Sequence, residues 1–274
     1  MTRGDFQRML STLHPLGVEA IDIIGGEPTL HPEIMNIVKD ACNAGFRINL
    51  SSNGTNIQIL DEIMSCTHAS IGVSINDEKD LRAAALSRNR FKLILKSVFR
   101  MGIDFGFVDK MLSLGFSRYY LIYMDALNLP DLDQSLPFDD FISRTACLTG
   151  TGQAGLVYCS GFLPDTRHYP ELSGVRCPAG TTKLGIMPDG SVYPCNLFFG
   201  RKEFRIGNIL SDPFGRIWAD PRLKFFRTFN GNTCPRTSCT LHSSCHGGCP
   251  AHALLFVKDI AGPDMRCTTK GRGI

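Results

Sequence analysis

Seven of the chain's eleven cysteines fall within residues 177–274. Closely spaced thiolates on irregular backbone suit zinc or iron–sulfur ligation, because both need soft anions that converge. An odd, clustered set without a signal peptide favours metal ligation over a disulfide framework. Seven thiolates cannot complete two all-cysteine four-ligand sites, so one site is open or takes another ligand, and the spacing alone fits zinc and iron–sulfur equally. The cysteines are Cys177, Cys195, Cys234, Cys239, Cys245, Cys249 and Cys267.

A second group with chemical potential is Gly25-Gly26-Glu27-Pro28, directly after an apolar β-branched run. Glycines have no Cβ, so a ligand can approach their backbone and bond to bare amides and carbonyls. Glu27 could accept from an ammonium group, and Pro28 stiffens the exit of the loop. The alternative is a plain turn in which the glycines adopt positive φ and Glu27 is solvated.

The elements that must position these groups alternate between strand and helix in the first half of the chain. Helices are predicted over residues 32–45, with Ile34, Ile37, Val38 and Ala41 on one face, over residues 90–102, and, shorter, over 108–115. Alternating βα units imply a parallel sheet or barrel wall, with ligands at the carboxyl ends of its strands. The predicted strands are Ala20–Ile24, Phe46–Ser51, Ala69–Ile75, Ile103–Phe107 and Arg118–Met124.

The second half of the chain is less regular. Residues 128–176 read as loops around a short helix, "TGTGQAG" among them, and "LGIMPDGSVYPC" predicts a hairpin about a Pro-Asp-Gly turn. Residues 177–274 are so poor in regular core that their fold is expected to depend on metal. We therefore expect a partial barrel over 1–127, a connection over 128–176 and a cysteine-rich domain over 177–274.

Composition excludes several classes of protein. The chain is 43% hydrophobic and 20% charged, and 29 basic against 26 acidic residues give a net charge of +3. The two signs are interspersed, so we expect neither a nucleic-acid partner nor a polybasic membrane anchor. No apolar segment resembles a signal peptide or a membrane span, which predicts a cytoplasmic protein.

The two groups of residues together resemble a known family. "GGEP", then "SSNG" and "VSIN" after the following strands, is similar to the radical S-adenosylmethionine superfamily. The pattern C-x12-G-x4-C, C-x4-C-x5-C-x3-C and a final cysteine resembles the SPASM domain of that superfamily, which holds auxiliary 4Fe–4S clusters. "IGNI" at residues 206–209, Trp218 and "CHGGCPA" also resemble SPASM segments.

The resemblance implies an α/β fold, a partial (βα)n barrel followed by a small SPASM domain with a β-hairpin. It implies an enzyme that cleaves S-adenosylmethionine to a 5′-deoxyadenosyl radical and modifies a substrate, with a peptide or protein side chain preferred over a small molecule. A reductant such as a flavodoxin or ferredoxin would be a partner. By the resemblance, S-adenosylmethionine would lie against Gly25, Gly26, Glu27, Pro28, Ser52, Asn53 and Ser74.

The resemblance also implies a grouping of the thiolates into up to two auxiliary clusters. Cys234, Cys239, Cys245 and Cys267 would form a complete site, and Cys177, Cys195 and Cys249 an open one. The open site could be completed by a non-cysteine ligand, such as His242 or His246, or could expose an iron to substrate. Asp125, after the last predicted strand, could serve as a base or cap a turn, and the resemblance identifies no catalytic residue.

One family feature is missing from the sequence. The catalytic cluster of the family is held by CxxxCxxC ahead of the GGEP strand, and these 274 residues contain no such motif. A truncated reading frame is the simplest explanation, and a degenerate member that never builds this cluster is the rival. The alternative function is a non-catalytic iron–sulfur or zinc-binding scaffold.

Overall fold

The structure, a computed structural model, describes residues 1–103, 109–111, 113–116, 118–149, 154–157, 177–236, 238 and 246–268. The chain divides into two compact units. One comprises Phe6–Met124 and Phe141–Leu163, and the other Met1–Asp5, Asp125–Asp140 and Pro164–Ile274. Among the residues described, no helix has the length and apolar character needed to cross a bilayer.

A six-stranded parallel sheet forms the first unit and curls into a half-barrel. The strands lie side by side in sequence order, each hydrogen-bonded to the next. The α/β half-barrel expected from the sequence is thereby confirmed. The strands are β1 (Ala20–Ile23), β2 (Arg47–Ser52), β3 (Ser70–Ser74), β4 (Ile94–Phe99), β5 (Arg118–Tyr123) and β6 (Ala154–Val157).

Helices connect the strands of the first unit, and further short helices belong to the second unit. The helices are α1 (Arg3–Leu13), α2 (Ile34–Asn43), α3 (Ile57–Cys66), α4 (Glu78–Ala85), α5 (Leu129–Gln134), α6 (Phe138–Thr149), α7 (Phe214–Trp218), α8 (Leu223–Arg227), α9 (Pro250–Val257) and α10 (Met265–Thr268). Short 3-10 helices span His14–Leu16, Pro28–Leu30, Arg90–Lys92, Asn196–Phe198 and Lys202–Phe204.

The hydrophobic core of the half-barrel lies on the helix side of the sheet. In α2 the buried residues are Ile34, Ile37, Val38 and Ala41, as the sequence predicts. The sheet contributes alternate strand residues to this layer, because neighbouring side chains along a strand point to opposite faces. These buried strand residues are Ile48, Leu50, Ile71, Val73, Leu95, Phe99 and Leu121.

The prediction of a helix over residues 90–102 is wrong. The segment forms a 3-10 turn and then β4, which pairs with β3 and β5. A helix over this segment would have Phe91, Leu93, Ile94, Val98 and Met101 on its apolar side, but Phe91 and Met101 are 58% and 48% exposed. A run of apolar residues this dense satisfies both the helix and the strand period, so pairing with neighbouring strands decides the outcome.

Two other expectations about the sheet have different outcomes. The predicted strand Ile103–Phe107 lies outside the described residues except for Ile103, which is not in a strand. "TGTGQAG" was expected to be a loop, but its end forms β6, which pairs in parallel with β5. The short helix predicted over 108–115 is confirmed where it is described, at residues 109–111 and 113.

The second unit contains a small antiparallel sheet of β7 (Gly185–Ile186), β8 (Ser191–Tyr193) and β9 (Gly207–Asn208). The predicted Pro-Asp-Gly hairpin is confirmed between β7 and β8. Gly190 N–H donates to Met187 O at 2.9 Å, and Gly190 has a φ of +83°. β9 belongs to the "IGNI" segment and adds the third strand by pairing with β8.

Candidate functional site

Three loops meet at the carboxyl edge of the half-barrel. Because β1, β2 and β3 are parallel and adjacent, their carboxyl ends lie at one edge of the sheet. Gly25–Glu27 follows β1, Ser52 ends β2 with Asn53 directly after it, and Ser74 ends β3. The structure therefore brings the residues predicted for S-adenosylmethionine to one edge of the first unit.

Glu27 links the first two of these loops. Its Oε1 accepts hydrogen bonds from Thr29 N at 3.0 Å, Thr29 Oγ1 at 2.7 Å and Ser52 Oγ at 2.8 Å. Its Oε2 accepts from Asn53 N at 2.6 Å. Burial by itself raises the pKa of Glu27, but these hydrogen bonds outweigh it and hold the pKa below the ordinary value. Glu27 is thus an ionised tie between the β1 and β2 loops.

Gly25 and Gly26 leave the backbone beside Glu27 open. Both are exposed, and a Cβ built on either would have no other atom within 4 Å. Gly25 has a φ of +115°, which favours glycine. A ligand can therefore reach the peptide groups of this loop. This suits a group that bonds to backbone, such as the amino-acid end of S-adenosylmethionine.

The other predicted residues of this edge take different positions. Pro28 is buried and starts the 3-10 helix Pro28–Leu30. Ser52 is buried; besides donating to Glu27, it accepts from Gly54 N at 3.0 Å. Asn53 is exposed, and its Oδ1 accepts from Thr55 N and Oγ1. Ser74 is half-buried on the inner face of the sheet. Pro28 and Ser52 are buried and thus shape the loops. The side chains of Asn53 and Ser74 are more exposed and are therefore more accessible to a ligand.

The inner face of the sheet carries polar residues that the sequence analysis missed. Lys96 on β4 is 8% exposed, and its Nζ donates to Ser51 Oγ on β2 at 2.6 Å. Beside them, Asn49 Nδ2 donates to Asp22 Oδ1 at 2.8 Å. The missed signal is the alternation of β4, in which Leu95 faces the helices and Lys96 faces inward.

In the second unit, the hairpin brings the Cys177 and Cys195 segments together. Gly180 N donates to Lys183 O at 2.8 Å and to Pro194 O at 3.1 Å. The turn that follows Cys177 is thereby joined to the residue before Cys195. Cys195 is buried and Cys177 is half-buried.

Close backbone packing orders the segments that hold the other described cysteines. Asn232 N donates to His246 O and Thr233 N to Ala261 O, both at 2.8 Å. Gly247 and Gly248 have φ values of +79° and +105°, and a Cβ on Gly248 would overlap the side chain of Asp264. The glycines of "CHGGC" therefore permit a close approach that no larger residue allows.

Asp264 connects the Cys249 and Cys267 segments. Its Oδ2 accepts from Cys249 N at 2.8 Å, and its carbonyl accepts from Cys267 N at 3.1 Å. Arg266 Nη2 pairs with Asp264 Oδ2 at 2.7 Å, and both side chains are almost fully buried. Burial raises the pKa of Asp264, but Arg266, with smaller contributions from His252 and Cys249 N–H, holds it far below its usual range.

Asp125 also joins this buried network. Its Oδ1 lies 3.4 Å from His252 Nε2 and 3.6 Å from Arg266 Nη1. His252 Nε2 also accepts from Ala126 N at 3.2 Å. Asp125 is half-buried, and these contacts give it a role in packing the second unit. The sequence had suggested two other roles for it, a base or the cap of a turn.

The described cysteines of the second unit carry thiols that can serve as cluster ligands. Cys177, Cys195, Cys234, Cys249 and Cys267 are free of disulfides. Phe138 N–H donates to Cys267 Sγ at 3.3 Å, a hydrogen bond that stabilises a thiolate. Cys239 and Cys245 lie outside the described residues. Within the residues described, no three His, Cys, Asp or Glu side chains are grouped to hold a metal ion, so the ligand sets remain predictions.

Comparison with known proteins gives both parts of the chain a counterpart. Residues 177–250 match the SPASM family, an iron–sulfur cluster-binding domain. PqqA peptide cyclase of Streptomyces rochei is 25% identical over 300 residues, which cover 97% of this chain and 80% of that protein.

Solved structures match the fold over almost the whole chain. The crystal structure of Streptococcus suis SuiB bound to S-adenosylmethionine has a TM-score of 0.72 and 18% identity, covering 97% of this chain and 70% of SuiB. SuiB bound to its precursor peptide SuiA has a TM-score of 0.70 and 18% identity, covering 96% and 68%. The chain therefore combines a half-barrel with the fold of SuiB and a segment, residues 177–250, that matches the SPASM iron–sulfur cluster-binding domain.

Proposed function

We propose that this chain is a radical S-adenosylmethionine maturase of the SPASM type that modifies a side chain of a peptide. The similarity to PqqA peptide cyclase and to SuiB, which was solved with a precursor peptide, supports a peptide substrate.

The observation that carries the proposal is the open backbone of Gly25 and Gly26 beside the anchored carboxylate of Glu27. Bare peptide groups at the carboxyl edge of parallel strands suit the amino-acid end of S-adenosylmethionine. Asn53, just after β2, and Ser74, at the end of β3, would contact other parts of the same molecule. Glu27, held by four donors from the chain, would keep this edge rigid and add negative charge near the ammonium group.

The cysteines would hold the second type of cofactor, the auxiliary 4Fe–4S clusters. Cys234, Cys239, Cys245 and Cys267 would hold one 4Fe–4S cluster, and Cys177, Cys195 and Cys249 an open one. Together with the catalytic cluster, whose CxxxCxxC motif is not among these 274 residues, bound S-adenosylmethionine would supply a 5′-deoxyadenosyl radical for hydrogen abstraction from the substrate. The chain's contribution is to orient the bound groups and to exclude water from them. A flavodoxin or ferredoxin would deliver the electron.

A binding experiment tests the cofactor site. The chain is reconstituted anaerobically with iron and sulfide, and S-adenosylmethionine binding is measured by equilibrium dialysis for the unaltered chain and for Gly26→Val. A valine side chain would fill the space above the loop, so we expect binding to weaken at least roughly tenfold, the equivalent of one lost polar interaction.

Gly215→Val is the matched control, because a Cβ on Gly215 also meets no atom within 4 Å. Equal binding by Gly26→Val and the unaltered chain would show that the ligand does not use this loop. Similar melting temperatures for the two variants would rule out a folding defect as the cause of any loss.

A non-catalytic iron–sulfur or zinc-binding scaffold is the second candidate, because the cysteine-rich segment over residues 177–250 matches a cluster-binding domain by itself. The two functions differ in their products. Dithionite-reduced chain with S-adenosylmethionine yields 5′-deoxyadenosine only if a cluster that can reduce the sulfonium is present. Iron and sulfide without 5′-deoxyadenosine would support the scaffold, and zinc in place of iron would support its zinc-binding form.

A further inference from the structure

The thiol of Cys267 lies against the first residue of α6. Phe138 donates its backbone N–H to Cys267 Sγ at 3.3 Å, and both residues belong to the second unit. The N–H groups of the first helical residues have no acceptor within the helix, so they can donate to a group outside it. Phe138 is buried and Cys267 is half-buried, which shields this hydrogen bond from much of the solvent.

The next residue of α6, Asp139, is joined to the segment that holds Cys234. Arg236 Nη1 donates to Asp139 Oδ1 at 2.8 Å, and Arg236 Nη2 donates to Oδ2 at 2.6 Å. A bidentate pair of this kind fixes orientation as well as distance. The Cys234 thiol contacts the carbonyl oxygen of the same arginine at 4.0 Å. The start of α6 therefore contacts the segments of two cysteines that the resemblance assigns to one cluster, Cys234 and Cys267.

A backbone N–H on a ligand sulfur has a defined effect on an iron–sulfur cluster. The cysteine sulfurs carry more negative charge when the cluster is reduced, so a hydrogen-bond donor stabilises the reduced form more than the oxidised form. Hydrogen bonds to the sulfurs are among the features that set the reduction potential of such clusters. The donor of Phe138 should therefore raise the potential of a cluster bound at Cys267.

We propose that the N–H of Phe138 raises the reduction potential of the auxiliary cluster bound by Cys267. Phe138 would act through the cysteine sulfur and would have no contact with substrate. The inference rests on the proposed function only in needing the cluster held by Cys234, Cys239, Cys245 and Cys267. A higher potential would make this cluster easier to reduce by a flavodoxin or ferredoxin.

Two substitutions at one position separate the N–H from the side chain. Phe138→Pro removes the ring and the N–H, whereas Phe138→Ala removes only the ring. Proline is well tolerated at the first position of a helix, so α6 should still form. The midpoint potential of the reduced-cluster EPR signal is measured by redox titration in both variants. The signal that Cys267→Ser abolishes belongs to the cluster in question.

We expect a more negative midpoint potential in Phe138→Pro than in Phe138→Ala. The loss of one hydrogen bond to a charged acceptor changes an equilibrium roughly tenfold, which corresponds to about 59 mV for one electron. Equal midpoint potentials in the two variants, with the cluster present in both, would overturn the inference.

A spectroscopic measurement decides the same question if the proline variant does not assemble its cluster. The chain is labelled with ¹⁵N-phenylalanine, and pulsed EPR detects ¹⁵N nuclei that couple to the reduced cluster through a hydrogen bond. The unaltered chain should show this coupling. Phe138→Ala should lose it, because the nitrogen at that position is then unlabelled. A spectrum without the coupling in the unaltered chain, or a coupling that Phe138→Ala leaves unchanged, would overturn the inference.

The inference and the proposed function fail in different ways. An unaltered chain that binds no 4Fe–4S cluster would contradict the cluster assignment in the proposed function, and the inference would fall with it. A chain that binds the cluster but shows neither the potential difference nor the ¹⁵N coupling would contradict the inference alone.

Discussion

At the scale of single residues, the half-barrel edge depends on Glu27. The loop that holds it, with Gly25 and Gly26, was predicted from the sequence, because a glycine-rich turn after a buried strand is a local pattern. Its partners Thr29, Ser52 and Asn53 could not be predicted as such, since the contacts to the latter two depend on how β2 pairs with β1. The buried Asp264–Arg266 pair was also missed, because its burial depends on the approach of the Cys249 segment to Asp264.

Replacing Glu27 by glutamine should destabilise the chain. The amide nitrogen would face donors that now bond to a carboxylate oxygen, so we expect a loss of about 1–3 kcal/mol in the free energy of unfolding. Urea denaturation measures it. Glu19→Gln is the control, because the Glu19–Arg47 pair is more than 60% exposed on both sides and should contribute under about 1 kcal/mol.

The Glu27 effect should also depend on pH in a defined direction. The folded pKa lies below the ordinary value of 4.5, so the stabilisation is present above that value and is lost as pH falls through the folded pKa. The difference in stability between the unaltered chain and Glu27→Gln should therefore shrink in acid. A difference that stays constant from neutral pH to about pH 3 would contradict the role assigned to the ionised carboxylate.

At the scale of elements, the predictions from sequence succeeded where the hydrophobic period of a segment and its length indicated the same type of element. The segments of β1, β2, β3 and β5 were predicted to within one residue at each end, and α2 was predicted with its buried face. β4 was not, because its apolar residues fit a helical period, and Lys96 gains its inward position only through pairing with β3 and β5. β6 is short and follows glycines, so only its pairing with β5 defines it.

The glycines of the SPASM segment allow an element-scale prediction. Gly248→Ala adds a Cβ that would overlap Asp264 at a φ of +105°, so both strain and displacement of the Cys249 and Cys267 segments are expected. We expect a loss above about 3 kcal/mol, since backbone strain alone costs about 1–2 kcal/mol. Thermal denaturation of the anaerobic protein measures it.

Gly200→Ala separates strain from overlap. Gly200 has a φ of +77°, and a Cβ there would meet no atom within 4 Å, so only the strain should appear. Equal losses for the two variants would show that the approach of Gly248 to Asp264 does not stabilise the second unit.

At the scale of the whole molecule, the two parts of the chain carry separate sequence signals. The cysteine spacing predicted a SPASM domain, and residues 177–250 match that family. The half-barrel was predicted from alternating elements and is matched by SuiB. The ligand sets could not be derived further, because spacing alone does not distinguish zinc from iron, and Cys239 and Cys245 lie outside the described residues.

Mössbauer spectroscopy of anaerobically purified, ⁵⁷Fe-labelled chain, with iron and sulfide quantified on the same sample, tests the central claim most directly. The account predicts 4Fe–4S signals with equal iron and acid-labile sulfide, and a loss of roughly one cluster in Cys267→Ser but not in the exposed-thiol control Cys66→Ser. Zinc in place of iron, or an iron content that Cys267→Ser leaves unchanged, would contradict it.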